Sequence, residues 1–200
     1  MAQVKKPAVR DAILGAAHRL FREQSYNGTT LSQIATEAEI STANLYSYFP
    51  SKFDILYSIY DPWLRERLKR LELELAAIRH PRKRLKHLIA VIWRDIPAEE
   101  NAFANNIIQA VSGASREGYD PSLLKTAEKS VAEMLRDILP PDRLKAIDAK
   151  SVSHVIFMAF DGFAMGAHVN QGAACSDKEI ELLCNLILGN NRRSTSEEPR

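Results

Sequence analysis

The sequence predicts an all-α fold of about nine helices, with a three-helix head at the N-terminus and a helical body behind it. Apolar residues recur at spacings of three and four almost throughout, as one face of a helix requires. No stretch alternates β-branched and polar residues as a half-buried strand would. Capping residues and prolines stand where the helical period breaks.

Ile13, Leu14, Ala17, Leu20 and Phe21 make the first amphipathic stripe, and Asn27-Gly28 ends that helix after Tyr26. Thr30 can accept from the amides of the next turn while Gln33 reaches back, so a second helix runs from about Leu31 to Ala38. Ser41 repeats the cap after a very tight turn and opens a short third helix through Ala43, Leu45, Tyr46 and Phe49. Pro50 closes it, because a residue before proline is pushed out of the helical region. Ser51, with Asp54 three residues on, starts a fourth helix reaching about Arg79. Pro62 either kinks it or begins a separate helix capped by Asp61, and the kink is favoured.

His80-Pro81 opens a helix to about Ile96, closed by Pro97, and another spans Glu99 to Val111 before the loop marked by Ser112, Gly113 and Gly118. Asp120-Pro121 opens the next, which ends at Pro140-Pro141. The last two run from Asp142 or Asp148 to Asn170 and from Ser176 to Leu188, with Gly189 as terminator. These breaks divide the chain into a helix-turn-helix head at residues 7–50, a body at 51–190 and a flexible tail at 191–200. The head is too small to be a catalytic domain.

Lys and Arg total 27 against 25 Asp and Glu, so a polyanionic partner must be met by a local patch and not by overall charge. Cys175 and Cys184 are too few for a disulfide framework or a four-ligand zinc site, and read as inert thiols. No run approaches the roughly 18 uncharged apolar residues of a membrane span, so no membrane partner and a cytoplasmic location are expected.

Two short helices joined by a tight turn have the proportions of a helix-turn-helix, whose second helix fits a major groove about 12 Å wide. Around Leu45, the third helix offers Thr42, Ala43, Asn44 and Ser47 outward. Asn44 can pair with adenine, and Ala43 or the Thr42 methyl can touch a thymine methyl. Thr30 and Ser41 place hydroxyls and unpaired amides at helix N-termini, where phosphate oxygens bind well. Lys52, a cation at the positive end of a helix dipole, is unfavourable there unless an anion such as a phosphate lies opposite. A solvated surface charge is its plain alternative. Lys5, Lys6 and Arg10 form a basic arm suited to phosphate or minor-groove contact.

The run Leu45-Tyr46-Ser47-Tyr48-Phe49-Pro50-Ser51-Lys52, together with Arg10, Ile13, Ala17, Phe21, Tyr26, Gly28, Thr30, Ile34, Ala35, Ala38 and Ser41, resembles the DNA-binding domain of TetR-type transcriptional repressors. Ser25, Glu39 and Ala43 stand where glycine is common in that family, Ser47 where histidine is, and Phe53 where an acid is. Glu39 is therefore expected at a positive φ. The resemblance implies that Tyr46 and Tyr48 aim phenolic groups at the DNA backbone. It also implies a homodimer in which the last two helices form an intersubunit four-helix bundle, and an effector pocket among the helices before them.

The residues of the body can be read for the same roles. Val155, Ala159, Gly162, Phe163 and Gly166 share one face of the penultimate helix, where each interior glycine costs about 1 kcal/mol unless close approach needs it. With Ile180, Leu183, Cys184 and Ile187 they make the expected dimer interface, ordinary intrachain packing being the alternative. The opposite face, His154, Phe157, Met158, Asp161, Met165 and His168, mixes ionisable and adaptable apolar groups and is expected to line an effector pocket with Trp93, Phe103, Ile107 and Met134. His154, Asp161 and His168 stand about 10 Å apart along the helix, too far to share a metal ion. No metal and no cofactor are expected. The basic cluster Arg82, Lys83, Arg84 and Lys86 reads as a solvated face or a steering patch.

The expectation is a homodimeric TetR-like regulator, not an enzyme, that binds double-stranded operator DNA and is released by an unknown small-molecule effector. An activator, or a ligand-independent DNA-binding regulator, carries the same residues. A small helical enzyme working from His154, Asp161 and His168 is the alternative of another class, but no nucleophile with an aligned base and no glycine-rich phosphate loop accompanies them.

Overall fold

Helices begin where the capping residues stand. In the computed structural model, which describes residues 6–99, 102–113, 121–169 and 175–189 apart from the side chains of 166–169, α1 spans Pro7–Gly28, α2 Leu31–Glu37, α3 Thr42–Tyr48 and α4 Lys52–Ala77. Thr30 and Gln33 form a complete capping box, and Ser41 and Ser51 accept from the amides of Asn44 and Asp54. α1 is broken near its end at Ser25, whose φ of 64° lies in the left-handed region. Glu39 adopts a φ of 56° in the turn between α2 and α3, as expected from the glycine it replaces.

The head closes on Ile13, Ala16, Ala17 and Phe21 of α1, Ile34 and Ala35 of α2, and Leu45 and Phe49 after them, all at most 3% exposed. α4 is shared between head and body. Ile55 and Leu56 pack in the head, and Leu64, Leu68, Leu71 and Leu75 are buried further along. Pro62 lies inside this single helix, so no separate helix begins there, and Asp61 pairs with Arg65 at 2.8 Å within it.

Behind α4, the helix α5 (Pro81–Ala90) runs through a π-helical turn, Val91–Asp95, into the last turn α6 (Ile96–Ala98). Then come α7 (Phe103–Ser112), α8 (Ser122–Ile138), the short α9 (Pro141–Ala146), α10 (Ala149–Val169) and α11 (Asp177–Leu188). The division is thus finer than about nine helices: α9 stands alone between two prolines and Asp148, and α10 takes the later of its two expected starts. All regular structure among the described residues is helical.

α10 lies against α8, α7 and the π turn, and α11 lies along α5. The basic cluster holds that second contact. Arg82 pairs with Glu181 and Asn185, Lys86 with Glu181 and Asp177, and Arg84 donates to the Asp137 carbonyl. These cations are half-exposed, so their pairs add little to stability. Among the described residues no helix is long and apolar enough to cross a membrane.

Candidate nucleic-acid interface and effector cavity

Leu45 is fully buried and so turns the rest of α3 outward. Ala43, Tyr46 and Ser47 are exposed on it, Thr42 and Asn44 half-exposed, with Thr30 and Ser41 exposed at the two helix starts. Tyr46 leaves 53% of its surface open, which a merely packing tyrosine would not. Ser47 Oγ donates to the Asn44 carbonyl at 2.6 Å and reaches Asn44 Oδ1 at 3.3 Å, steadying that amide on the outer face. Tyr48 is half-buried, and its hydroxyl accepts from the Lys6 amide at 3.1 Å, which ties the basic arm to the end of α3. The Arg10 guanidinium lies over the Phe49 ring at 5.3 Å.

Lys52 differs from expectation. Its Nζ donates to the carbonyls of Tyr26 at 2.7 Å and Thr29 at 2.8 Å and sits 4.1 Å from the centre of the Tyr26 ring. At the broken end of α1 the Tyr26 carbonyl accepts only a long bond, 3.3 Å, from the Thr29 amide, and the ammonium supplies a closer donor to it and to the Thr29 carbonyl. Burial pushes its pKa down. The negative charge opposite Lys52 is thus supplied, within this chain, by the partial charges of its own helix end.

A cavity of about 280 Å³ opens between α4, α6, α7, α8 and α10. Phe53, Tyr57, Leu64 and Leu68 of α4 line it, with Ile92 and Ile96, Phe103, Ile107, Ile108, Val111 and Ser112 of α7, Leu123, Leu124 and Ala127 of α8, and Phe157, Phe160, Asp161 and Met165 of α10. The Tyr57 hydroxyl accepts from the Leu123 amide and so fixes the start of α8 against α4. Of the expected lining, Phe103, Ile107, Phe157, Asp161 and Met165 are there.

Trp93, Met134, His154 and Met158 are not. Trp93 is core: its indole donates to the Ile156 carbonyl at 2.8 Å and its ring meets Phe163 at 5.0 Å. Met134 is buried on α8. His154 bonds Glu128 at 2.7 Å on the surface, and Met158 is 47% exposed. The cavity takes a narrower arc of α10 than the whole polar-apolar face, because α8 covers one flank and the other is left outside. The lining from α4 and α8 escaped the sequence reading, since an apolar residue beside a void has the same periodicity as one filling a core.

Between cavity and head lies Asn106, fully buried on α7. Its Oδ1 accepts from the Tyr26 amide at 2.7 Å, and its Nδ2 donates to the Phe21 carbonyl at 3.1 Å and the Tyr60 hydroxyl at 3.0 Å. One turn on, Gln109 accepts from the Asn27 amide at 2.9 Å. Both act on the stretch where α1 is broken. The sequence signal was the Asn105-Asn106 pair inside an otherwise apolar run, where a buried amide must be bonded.

On the outer side of α10, Val155 and Gly162 are exposed and Ala159 and Phe163 half-buried; a Cβ at Gly162 would meet nothing within 4 Å. Gly166 belongs to α10, but its surroundings, like those of Ala167 and His168, lie outside the described residues. For α11 the expected face is corrected. Ile180, Cys184 and Ile187 are buried within the chain, because the apolar stripe of α11 faces α5. Leu183 is half-buried, and the apolar groups that α11 leaves open are Leu182 and Leu186. Burial also pushes the thiols of Cys175 and Cys184 up to about 11, which keeps them unreactive at neutral pH.

Residues 13–59 match the family model described as bacterial regulatory proteins, tetR family. Among curated proteins, the chain is 36% identical over 93 residues to the HTH-type transcriptional regulator HbdR of Aromatoleum sp. (strain CIB), a stretch that is 46% of this chain and 41% of that protein. Among solved structures, the fatty acid degradation regulator FadR from Bacillus halodurans superposes with a TM-score of 0.67 at 19% identity, over 95% of this chain and 99% of that one. FadR from Bacillus subtilis, solved in complex with stearoyl-CoA, gives 0.65 at 18% identity over 90% and 97%. At those identities the structures speak for the fold, and the family model covers most of the head and the start of α4. The head of this chain thus matches the tetR family of bacterial regulatory proteins, the chain spans about two fifths of the length of the curated relative it matches, and the whole chain shares the fold of these solved structures.

Proposed function

We propose that this chain acts as a homodimeric repressor, the head at residues 7–50 binding a palindromic operator and the body at 51–190 releasing it when a small molecule enters the cavity. The observation that carries the reading is the double role of α7. One side of it, Phe103, Ile107, Ile108 and Val111, lines the cavity, and another, Asn106 and Gln109, holds the end of α1. A ligand that displaces α7 therefore pulls on the head through hydrogen bonds of 2.7–3.1 Å, those of Asn106 shielded from solvent and that of Gln109 exposed.

In the bound state, α3 of each protomer enters a major groove, the two half-sites one helical turn apart. Thr42, Ala43, Asn44 and Ser47 face base edges, and Thr30, Ser41, Tyr46 and Tyr48 face phosphates. The second protomer packs on the outer side of α10 and α11, where Val155, Met158, Met165, Leu182 and Leu186 are exposed beside Gly162 and the half-buried Ala159, Phe163 and Leu183. A coupling of about 1–3 kcal/mol would lower operator affinity about 5–150-fold, and operator would weaken effector binding by the same factor. The apolar lining, and an acyl-CoA in a neighbour of the same fold, support an effector with a hydrocarbon body.

Selecting bound duplexes from a random pool tests the reading. The expected product is an inverted repeat, and Asn44→Ala relaxes the preference at one base of each half by about 1–3 kcal/mol while leaving affinity for random duplex unchanged. Recovery of no preferred sequence, or a protein that stays monomeric on DNA, overturns it.

A further inference from the structure

The cavity lining is apolar but for three side chains. Among its described lining residues Asp161 is the sole charged group, accompanied by the hydroxyls of Tyr57 and Ser112. Solvent reaches its side chain at the mouth, yet the neighbours press close enough for burial to push its carboxyl up. Among the described residues no cation pairs with it and no amide or hydroxyl donates to it. A carboxylate withdrawn from water without a donor is costly, and a bound cation offsets that cost.

Aromatic rings line the same cavity. Phe157 lies one turn before Asp161 on α10, with its ring 6.3 Å from that of Phe160, and Phe53 and Tyr57 present a second pair 5.3 Å apart on α4. Ring faces attract ammonium groups, and quaternary ones most readily shed water to reach them. An anionic head in this cavity meets both a carboxylate and the negative faces of the rings.

On the reading that the cavity is the effector site, we infer that its ligand is an organic cation with a hydrocarbon body, an alkylammonium or quaternary ammonium whose charge rests at Asp161 among the rings. Anionic amphiphiles of the same length are rejected by the same group. The apolar chamber holds the chain, and Asp161 chooses the head.

Three ten-carbon probes separate the two claims: decyltrimethylammonium, decanol and decanoate, each titrated calorimetrically below its micellar range into the full chain at neutral pH and physiological salt. Decanol reports on the chamber alone and is expected to bind. The cation is expected to bind at least about tenfold more tightly than decanoate, a difference of about 1.4 kcal/mol. Asp161→Asn should bring cation and anion within about threefold while leaving decanol unchanged, and Asp161→Glu should restore most of the preference. If decanol binds and the wild type shows no preference for the cation, the inference about the head fails and the cavity reading stands. If decanol does not bind, or if Ile107→Trp, which fills the chamber, leaves its binding unchanged, both fail together.

Discussion

The Asn106 Oδ1 lies 2.7 Å from the Tyr26 amide, so α7 grips the backbone of α1 at the turn where that helix is broken. The geometry joins a body helix to the head by a side chain with no solvent access. Removing the amide while keeping its volume isolates what the grip does. Asn106→Leu leaves the Tyr26 amide and the Phe21 carbonyl without their partner, and each such loss costs about 1–3 kcal/mol where the group is buried. Thermal unfolding should show a melting temperature lower by several degrees. In a release assay the variant should keep its operator and its ligand but lose at least half of the coupling; undiminished release would assign the coupling to other contacts.

Lys52→Met tests which partner the ammonium at the start of α4 serves. The variant keeps the aliphatic stem and removes the donor to the Tyr26 and Thr29 carbonyls, so it should lose about 1–3 kcal/mol of stability. A phosphate contact would instead show in the salt dependence of DNA binding, where each one lost flattens the slope by about 0.9. The slope is expected to stay where it is, and a flattened slope with unaltered stability would return Lys52 to the interface.

Glu39→Gly addresses the turn between α2 and α3. A glutamate at a φ of 56° carries strain of about 1 kcal/mol that glycine lacks, and its carboxylate stands in the head close to the α3 start. The substitution should therefore raise the denaturation midpoint and tighten DNA binding modestly at low salt. Both effects come from one residue but separate in salt, since only the second is screened. A variant that is less stable than the parent would contradict the strain argument.

Two positions on α11 distinguish the open face from the closed one. Leu186 is 65% exposed and Ile187 is 4% exposed. Leu186→Glu should shift the sedimentation profile from dimer to monomer with little loss of monomer stability, because it charges a surface that the fold leaves bare. Ile187→Ala should cost about 2–4 kcal/mol in unfolding and leave the association state alone. The reverse pattern would put the interface on the side that packs against α5.

The local devices of this chain were readable from its residues. Thr30 with Gln33, Ser41 and Ser51 announce helix starts within three positions of themselves, Pro50 ends α3 wherever it stands, and Glu39 in place of a glycine foretells a strained turn. Those signals depend on bonds between neighbours in the chain, so no distant contact is needed to interpret them. Burial of Leu45 likewise follows from the period of its own helix, which is why the outward set on α3 could be named beforehand.

Tertiary structure alone decided what each apolar or charged group meets. Leu64 and Leu68 line a void and Met134 does not, although all three sit at the same kind of position in their helices. Lys52 spends its charge on carbonyls 23 and 26 residues earlier in the chain, and Ile187 turns inward because α5 is there to cover it. Helix formation is governed by contacts three and four residues apart, whereas cavities, ion partners and open faces are properties of which helices come together. That pairing is written in no single segment.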